Sequence, residues 1–191
     1  MSPKGGVGKT TSTMLVAAAL VAVGESVSVV DTDPQASALM WAEFVAKAGP
    51  PLPFEVISGG ADFAKRVRTQ TDWVLLDTPP GNEVIIREAI RWADLVVLPT
   101  RPGALDLLQL NPALEAAQGT PAAVLLVQVR SGVKETGETL EALRDVGAVV
   151  LDAQIPMRAR TARLALVRPS VRDLESSRYQ AVANEIREAL T

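Results

Sequence analysis

Residues 4–11 read Lys-Gly-Gly-Val-Gly-Lys-Thr-Thr and run straight into the apolar stretch Met14-Leu15-Val16-Ala17-Ala18-Ala19-Leu20-Val21. Glycines at this density let a backbone wrap tightly, so that successive N–H groups point inward at an anion. A helix that starts where the glycines end adds its partial positive charge to the same spot. The arrangement predicts a phosphate-binding loop formed by Lys4, Gly5, Gly6, Val7, Gly8, Lys9, Thr10 and Thr11. Lys9 is placed to reach the β- and γ-phosphates, and the Thr10 hydroxyl to coordinate Mg²⁺. The common spacing G-x-x-x-x-G-K-[ST] is not met, because its first glycine falls at Pro3; the loop instead carries an extra lysine, Lys4, before the paired glycines.

Outward from the loop, short β-rich apolar runs alternate with helix-length segments. The strand candidates are Ser26–Val30, Phe54–Ile57, Trp73–Leu76, Leu95–Leu98, Ala123–Val127 and Ala148–Leu151. Most are continuously apolar, as strands of a parallel sheet covered on both faces are. Helices are expected over Thr10–Val23, Gln35–Ala48, Ala61–Gln70, Asn82–Trp92, Leu105–Gln118, Thr136–Asp145 and Ser177–Leu190, the last with Val182, Ile186 and Leu190 on one face. The repetition predicts a doubly wound α/β fold with a mostly parallel sheet and helices on both faces. Gly49-Pro50-Pro51-Leu52-Pro53 is a stiff connector inside a single domain, since the pattern resumes unchanged after it.

Two acidic segments close the expected site. Asp31-Thr32-Asp33-Pro34-Gln35 follows the Ser26–Val30 strand, and Asp77 ends the Trp73–Leu76 strand and opens Thr78-Pro79-Pro80-Gly81. Open α/β sheets place ligands at these carboxyl ends. A carboxylate after an apolar strand is the Walker B arrangement, which holds Mg²⁺ directly or through water. Asp31 and Asp33 are also well placed to cap the next helix.

Composition narrows the chemistry. The 191 residues are 48% hydrophobic and 21% charged, which suits one globular domain. Cysteine and histidine are both absent. That excludes disulfides, thiolate nucleophiles, His-based triads, iron–sulfur clusters and Cys/His metal sites, and leaves oxygen-ligated metals such as Mg²⁺. Nineteen basic against 22 acidic residues give a net charge of −3, so no global basic signal points to nucleic acid. The charge-free run Thr10–Gly24 falls short of the ~20 residues of a membrane span. The chain reads as cytoplasmic.

These motifs resemble the ParA family of deviant-Walker ATPases, within the larger ParA/MinD group. Pro3–Thr11, Val30–Gln35 and Leu76–Gly81 carry the resemblance, and Asp94–Pro99 resembles the family's next strand. The resemblance implies a P-loop ATPase with ATP and Mg²⁺ as cofactors. It implies a homodimer that sandwiches ATP, with Lys4 as the signature lysine reaching the partner subunit's phosphates. Lys9 and Thr10 match the phosphate lysine and the magnesium ligand. Asp33 matches the carboxylate that activates water, Asp31 supports the magnesium shell, and Asp77 matches Walker B. Family members carry an apolar strand before the phosphate loop, whereas here only Met1-Ser2-Pro3 precede Lys4. Gln128 or Arg130, at the end of the 123–127 strand, is placed to read adenine or to be a solvated strand end.

A local charge cluster adds one expectation. Arg158, Arg160, Arg163, Arg168, Arg172 and Arg178 fall within 21 residues, against Asp173 and Glu175. Arginines suit phosphate contacts, and a patch of them binds duplex DNA without reading bases; a solvated, salt-bridged helical face is the bland alternative. Together these features suggest an ATPase that partitions plasmids or chromosomes over the nucleoid, binds duplex DNA nonspecifically, and is stimulated by a ParB-like, centromere-binding partner. The alternatives are a MinD-like membrane regulator, disfavoured by the mixed charges of Ser177–Thr191, and an ATPase that positions a cargo other than DNA.

Overall fold

Short apolar runs become strands here, and most of them are followed by a helix among the described residues. The computed structural model describes residues 6–60 and 70–190. In chain order the elements are α1 (Lys9–Ala22), β1 (Val27–Asp31), α2 (Ser37–Ala48), β2 (Glu55–Ser58), β3 (Trp73–Asp77), α3 (Glu83–Trp92), β4 (Val96–Thr100), α4 (Ala104–Ala116), β5 (Ala122–Leu126), α5 (Lys134–Asp145), α6 (Ala159–Ala162), α7 (Val171–Ser177) and α8 (Tyr179–Leu190). The helix expected over Ala61–Gln70 lies outside the described residues but for its last position.

All strand pairs are parallel. β1 is central in a three-stranded sheet ordered β2–β1–β3, with Val29 opposite both Val56 and Leu75. β4 and β5 form a second, two-stranded sheet, with Leu98 opposite Val124. The expected strand at Ala148–Leu151 is not formed. Residues 149–157 instead follow the outer edge of β5 through single bridges, Val124 with Val150 and Val129 with Pro156. The corrected segment contributes isolated bonds such as Leu151 N–H to the Val124 carbonyl, because Asp152 and Pro156 interrupt any longer ladder.

Side chains alternate across β5 and so divide the core. Ala123 and Leu125 join the cluster around α1, α2 and α8, whereas Val124 and Leu126 pack with Leu98, Leu110 and Leu143 under α4 and α5. Helices therefore cover both faces, as a doubly wound parallel sheet requires. Helix α1 is apolar all round and is buried from Met14 to Leu20, the behaviour expected of a helix with no solvent face. Its buried Ser12 pairs through its hydroxyl with the Tyr179 hydroxyl at 3.1 Å, which ties α1 to α8.

The expected final helix over Ser177–Leu190 forms as α8, two residues shorter at its start, because Ser177 ends a separate helix, α7. Arg178 adopts φ 69°, caps α7 and turns the chain into α8. Val182 and Ile186 are buried as expected, while Leu190 is exposed.

Candidate phosphate and metal site

The site is assembled where β1 and β3 end and α1 begins. Gly6 and Gly8 have φ of 101° and 87°, a region closed to most side chains, so the loop needs glycine at both positions. Gly8 is also the residue that caps α1, and its carbonyl accepts from Ser12 N–H at 2.8 Å. Lys4 and Gly5 lie outside the described residues.

Asp77, the last residue of β3, is 1% exposed. Its Oδ2 accepts from the Thr10 hydroxyl at 2.6 Å, and its Oδ1 lies 3.5 Å from the Thr13 hydroxyl. Burial raises its pKa to about 6, against the lowering effect of the Thr10 bond, with Asp31 and Asp33 pushing it further up and Lys9 pulling it down. Lys9 is itself desolvated, which lowers its pKa against the opposing pull of Asp77 and Asp33. The site is thus a part-buried lysine facing two carboxylates, Asp77 and Asp33, poised to exchange protein charge for ligand charge.

Thr10 and Asp77 are hard oxygen donors, and no group of three or more acidic side chains able to hold a metal occurs among the described residues. This sparse set fits Mg²⁺, which keeps several waters and takes one or two protein oxygens beside phosphate oxygens. In such a site Mg²⁺ supplies charge neutralisation to the phosphates.

The two aspartates after β1 do different work. Asp31 is 2% exposed; its Oδ1 accepts from Asp33 N–H at 3.1 Å, and its Oδ2 accepts from Ala38 N–H at 2.9 Å and Leu39 N–H at 3.1 Å. It therefore serves as the cap for α2, whose own N-cap, Ala36, has no capping side chain. Asp33 makes a local turn, Oδ1 to Gln35 N–H at 2.9 Å, and is half-buried with its carboxylate toward Lys9.

One residue missed by sequence reasoning, Thr32, also shapes the site. Thr32 donates its hydroxyl to the Asp77 carbonyl at 2.8 Å and its N–H to the same carbonyl at 2.9 Å, locking the ends of β1 and β3 together. The Asp-Thr-Asp spacing carried that signal, since a hydroxyl between two strand-end carboxylates faces the neighbouring strand. Gln128 follows β5 with φ 56°, and Arg130 is exposed with its Nε 3.1 Å from the Met157 sulfur. Both stand at the C-terminal end of the second sheet.

The arginine stretch is exposed but partly committed. Arg158 donates to the Ser176 carbonyl at 3.0 Å and Arg168 to the Pro51 carbonyl at 2.6 Å. Arg163 and Arg172 are exposed; the Arg160 side chain is outside the described residues.

Over residues 1–168 the chain matches the family described as CobQ/CobB/MinD/ParA nucleotide binding domain. It is 36% identical over 202 aligned positions to the maintenance of carboxysome distribution protein A of Gloeobacter kilaueensis, covering 97% of this chain and 91% of that protein. The fold is similar to that of apo McdA from Cyanothece, with a TM-score of 0.80, 17% identity, and coverage of 100% of this chain and 97% of that one. It is also similar to a Borrelia burgdorferi plasmid partition protein bound to AMPPNP, with a TM-score of 0.73, 17% identity, and coverage of 97% and 96%. Other solved neighbours hold ADP with magnesium. A glycine-bounded loop before a buried helix, a lysine facing two carboxylates, and the Thr10–Asp77 pair agree with the sequence match: the chain belongs to the CobQ/CobB/MinD/ParA nucleotide-binding family, as a ParA/MinD-group ATPase that uses ATP and magnesium.

Proposed function

We propose that the chain is a dimerising Mg-ATPase that positions a proteinaceous cargo, of the carboxysome kind, over the nucleoid. The observation that carries this reading is the 36% identity to a carboxysome-distribution protein across 97% of the chain. Lys9 and the loop amides bind and orient the phosphates, and Thr10 and Asp77 hold the magnesium. Asp33 orients the attacking water and accepts its proton, while Asp31 fixes the backbone that carries Asp33. Lys4 of each subunit completes the other's site, so hydrolysis is tied to assembly. Gln128 and Arg130 are the base-reading candidates.

Arg163 and Arg172, with the surrounding arginines, supply an exposed basic strip for nonspecific duplex DNA in an otherwise acidic protein. A cargo-bound partner protein stimulates turnover and release from DNA. Membrane attachment through α8 is disfavoured, because Val182, Ala183 and Ile186 are already spent against the core around α1, and no described helix is long and apolar enough to cross a membrane.

Plasmid partition is the second reading, favoured by the structural likeness to the Borrelia protein. Deleting the gene separates them. Clustered cargo bodies with normal plasmid inheritance support positioning; evenly spaced bodies with plasmid loss overturn it in favour of partition.

A further inference from the structure

Strands β1 and β3 are fastened at both ends by side chains as well as by their ladder. At the end away from the phosphate loop, Ser26 N–H and the Ser26 hydroxyl both donate to Asp72 Oδ2, and Asp72 N–H donates back to that hydroxyl at 2.9 Å. Both of those residues are exposed. At the other end Thr32 N–H and the Thr32 hydroxyl donate to a single acceptor, the Asp77 carbonyl, at 2.9 and 2.8 Å. This second fastening is buried, with Thr32 8% exposed and Asp77 1%. Six residues of extended chain, ~20 Å, separate the two.

The Thr32 hydroxyl bond is more than register demands. The parallel ladder already pairs Asp31 with Asp77, and within it Thr32 N–H takes one lone pair of the Asp77 carbonyl. The hydroxyl takes the other, so this carbonyl has nothing left to offer a metal or a water. A carbonyl held from two sides fixes the plane of the Asp77–Thr78 peptide. That plane sets where the Asp77 side chain leaves the backbone. On the Thr32 side the next residue is Asp33, whose N–H is held by Asp31 Oδ1 at 3.1 Å and whose carboxylate acts on Lys9. A single residue therefore links the carboxylate that holds Thr10 to the carboxylate that faces Lys9. Valine has the shape of threonine and the same stiffness at χ1, so the hydroxyl is all that threonine adds here.

We infer that Thr32 is a positioning residue for hydrolysis: its hydroxyl holds the Asp77 and Asp33 carboxylates in one fixed relation at the phosphate end of β1 and β3. It acts through those two residues and is not itself a catalytic group. The inference rests on the roles proposed above for Asp33 and for the Thr10–Asp77 pair. Ser26 is its structural counterpart, since it fastens the same two strands where no chemistry takes place. The two ends therefore provide their own control. Losing either bond loosens β1 against β3, but only the loss at Thr32 disturbs the site.

The test compares Thr32→Val, Thr32→Ala, Thr32→Ser and Ser26→Ala with the parent chain. The first readout is Mn²⁺ binding in the presence of ADP, followed by electron paramagnetic resonance. Thr32→Val and Thr32→Ala are expected to weaken it about 10-fold, while Thr32→Ser and Ser26→Ala stay within about twofold of the parent. The second readout is single-turnover hydrolysis at saturating Mg-ATP, expected to fall at least ~10-fold in the valine and alanine variants and to be restored by serine. Parent-like Mn²⁺ affinity in both Thr32→Val and Thr32→Ala overturns the inference. Equal losses in Ser26→Ala also overturn it, because strand pairing alone then accounts for the effect. Asp77→Asn separates this inference from the reading beneath it. If that variant keeps its Mn²⁺ affinity, the metal site itself fails and the role of Thr32 falls with it. If it loses Mn²⁺ while the Thr32 variants do not, the role of Thr32 alone is overturned.

Discussion

Thr10 Oγ1 donates to Asp77 Oδ2 at 2.6 Å, joining the first turn of α1 to the end of β3 across 67 residues of sequence. The hydroxyl and the carboxylate that a magnesium ion would take are held together by each other. The bond keeps the two donors within reach of one small cation, so metal binding substitutes for it instead of having to organise the site from separate parts.

The same carboxylate makes stability depend on pH. Asp77 has its pKa raised from 3.8 to about 6 by burial, so the folded state holds a proton that the unfolded chain has already released. Unfolding loses that proton between pH ~4 and ~6, and stability falls as pH rises through that window, then levels off. In magnesium-free, nucleotide-free buffer, Asp77→Asn is expected to raise stability at pH 7 by about 1–3 kcal/mol, or several degrees in Tm, and to flatten the pH dependence. The same substitution is expected to abolish magnesium-dependent hydrolysis. A thermal unfolding series from pH 4 to 8 checks the first expectation, and phosphate release checks the second.

Asp31 and Asp33 are expected to separate into a folding residue and a chemistry residue. Asp31→Ala leaves three N–H donors without their acceptor in a buried place and is expected to cost about 2–4 kcal/mol. Asp33→Ala removes one local turn bond at a partly exposed position and is expected to cost under about 1 kcal/mol. Hydrolysis, in contrast, is expected to fall at least ~100-fold in Asp33→Ala with nucleotide binding retained. Urea unfolding and single-turnover hydrolysis on the two variants read these apart.

Tyr179→Phe tests how α8 is fastened. The substitution leaves the Ser12 hydroxyl buried inside α1 without its partner, while the ring itself remains packed. The expected cost is about 1 kcal/mol, a drop of roughly 2–4 °C in Tm. Calorimetry on the purified variant measures it directly, and nucleotide affinity is expected to stay unchanged.

Much of this was legible in the chain because the deciding signals are local. The Gly-rich loop announces itself by glycines at positions where φ is positive, and α1 by an apolar run with no polar face. Strand boundaries at Asp31 and Asp77 lie within a residue of expectation because each apolar run stops at a carboxylate. The failures are tertiary. Nothing local marks Arg178 for a left-handed turn, so the short helix α7 before it is not expected and the final helix starts two residues late. The 148–151 run has strand composition but finds only single bridges, because residues beyond it cannot continue a ladder. Asp31 reads in the sequence as a metal ligand or a cap, and it does cap α2, because Ala36 has no capping side chain and leaves that task to a carboxylate seven residues before Ala38.

The arginine strip separates into residues that hold the fold and residues free to meet phosphate. Arg168 reaches across 117 residues of sequence to the Pro51 carbonyl, pinning the segment before α7 to the stiff connector before β2. Arg168→Ala is therefore expected to lower stability, by up to about 1 kcal/mol for an exposed bond. Arg163 and Arg172 are exposed, and replacing both by alanine is expected to leave Tm within about 1–2 °C of the parent, as surface substitutions usually do. If the strip tracks duplex phosphates, the double variant weakens binding of every sequence alike. Each lost phosphate contact then removes about 0.9 from the slope of log affinity against log salt. Titrating a labelled random-sequence duplex at several salt concentrations, with Mg-ATP and with Mg-ADP, measures both quantities. An unchanged salt slope in the double variant moves the DNA contacts elsewhere on the protein, and an affinity equal with ATP and ADP removes the nucleotide-switched part of the proposed cycle.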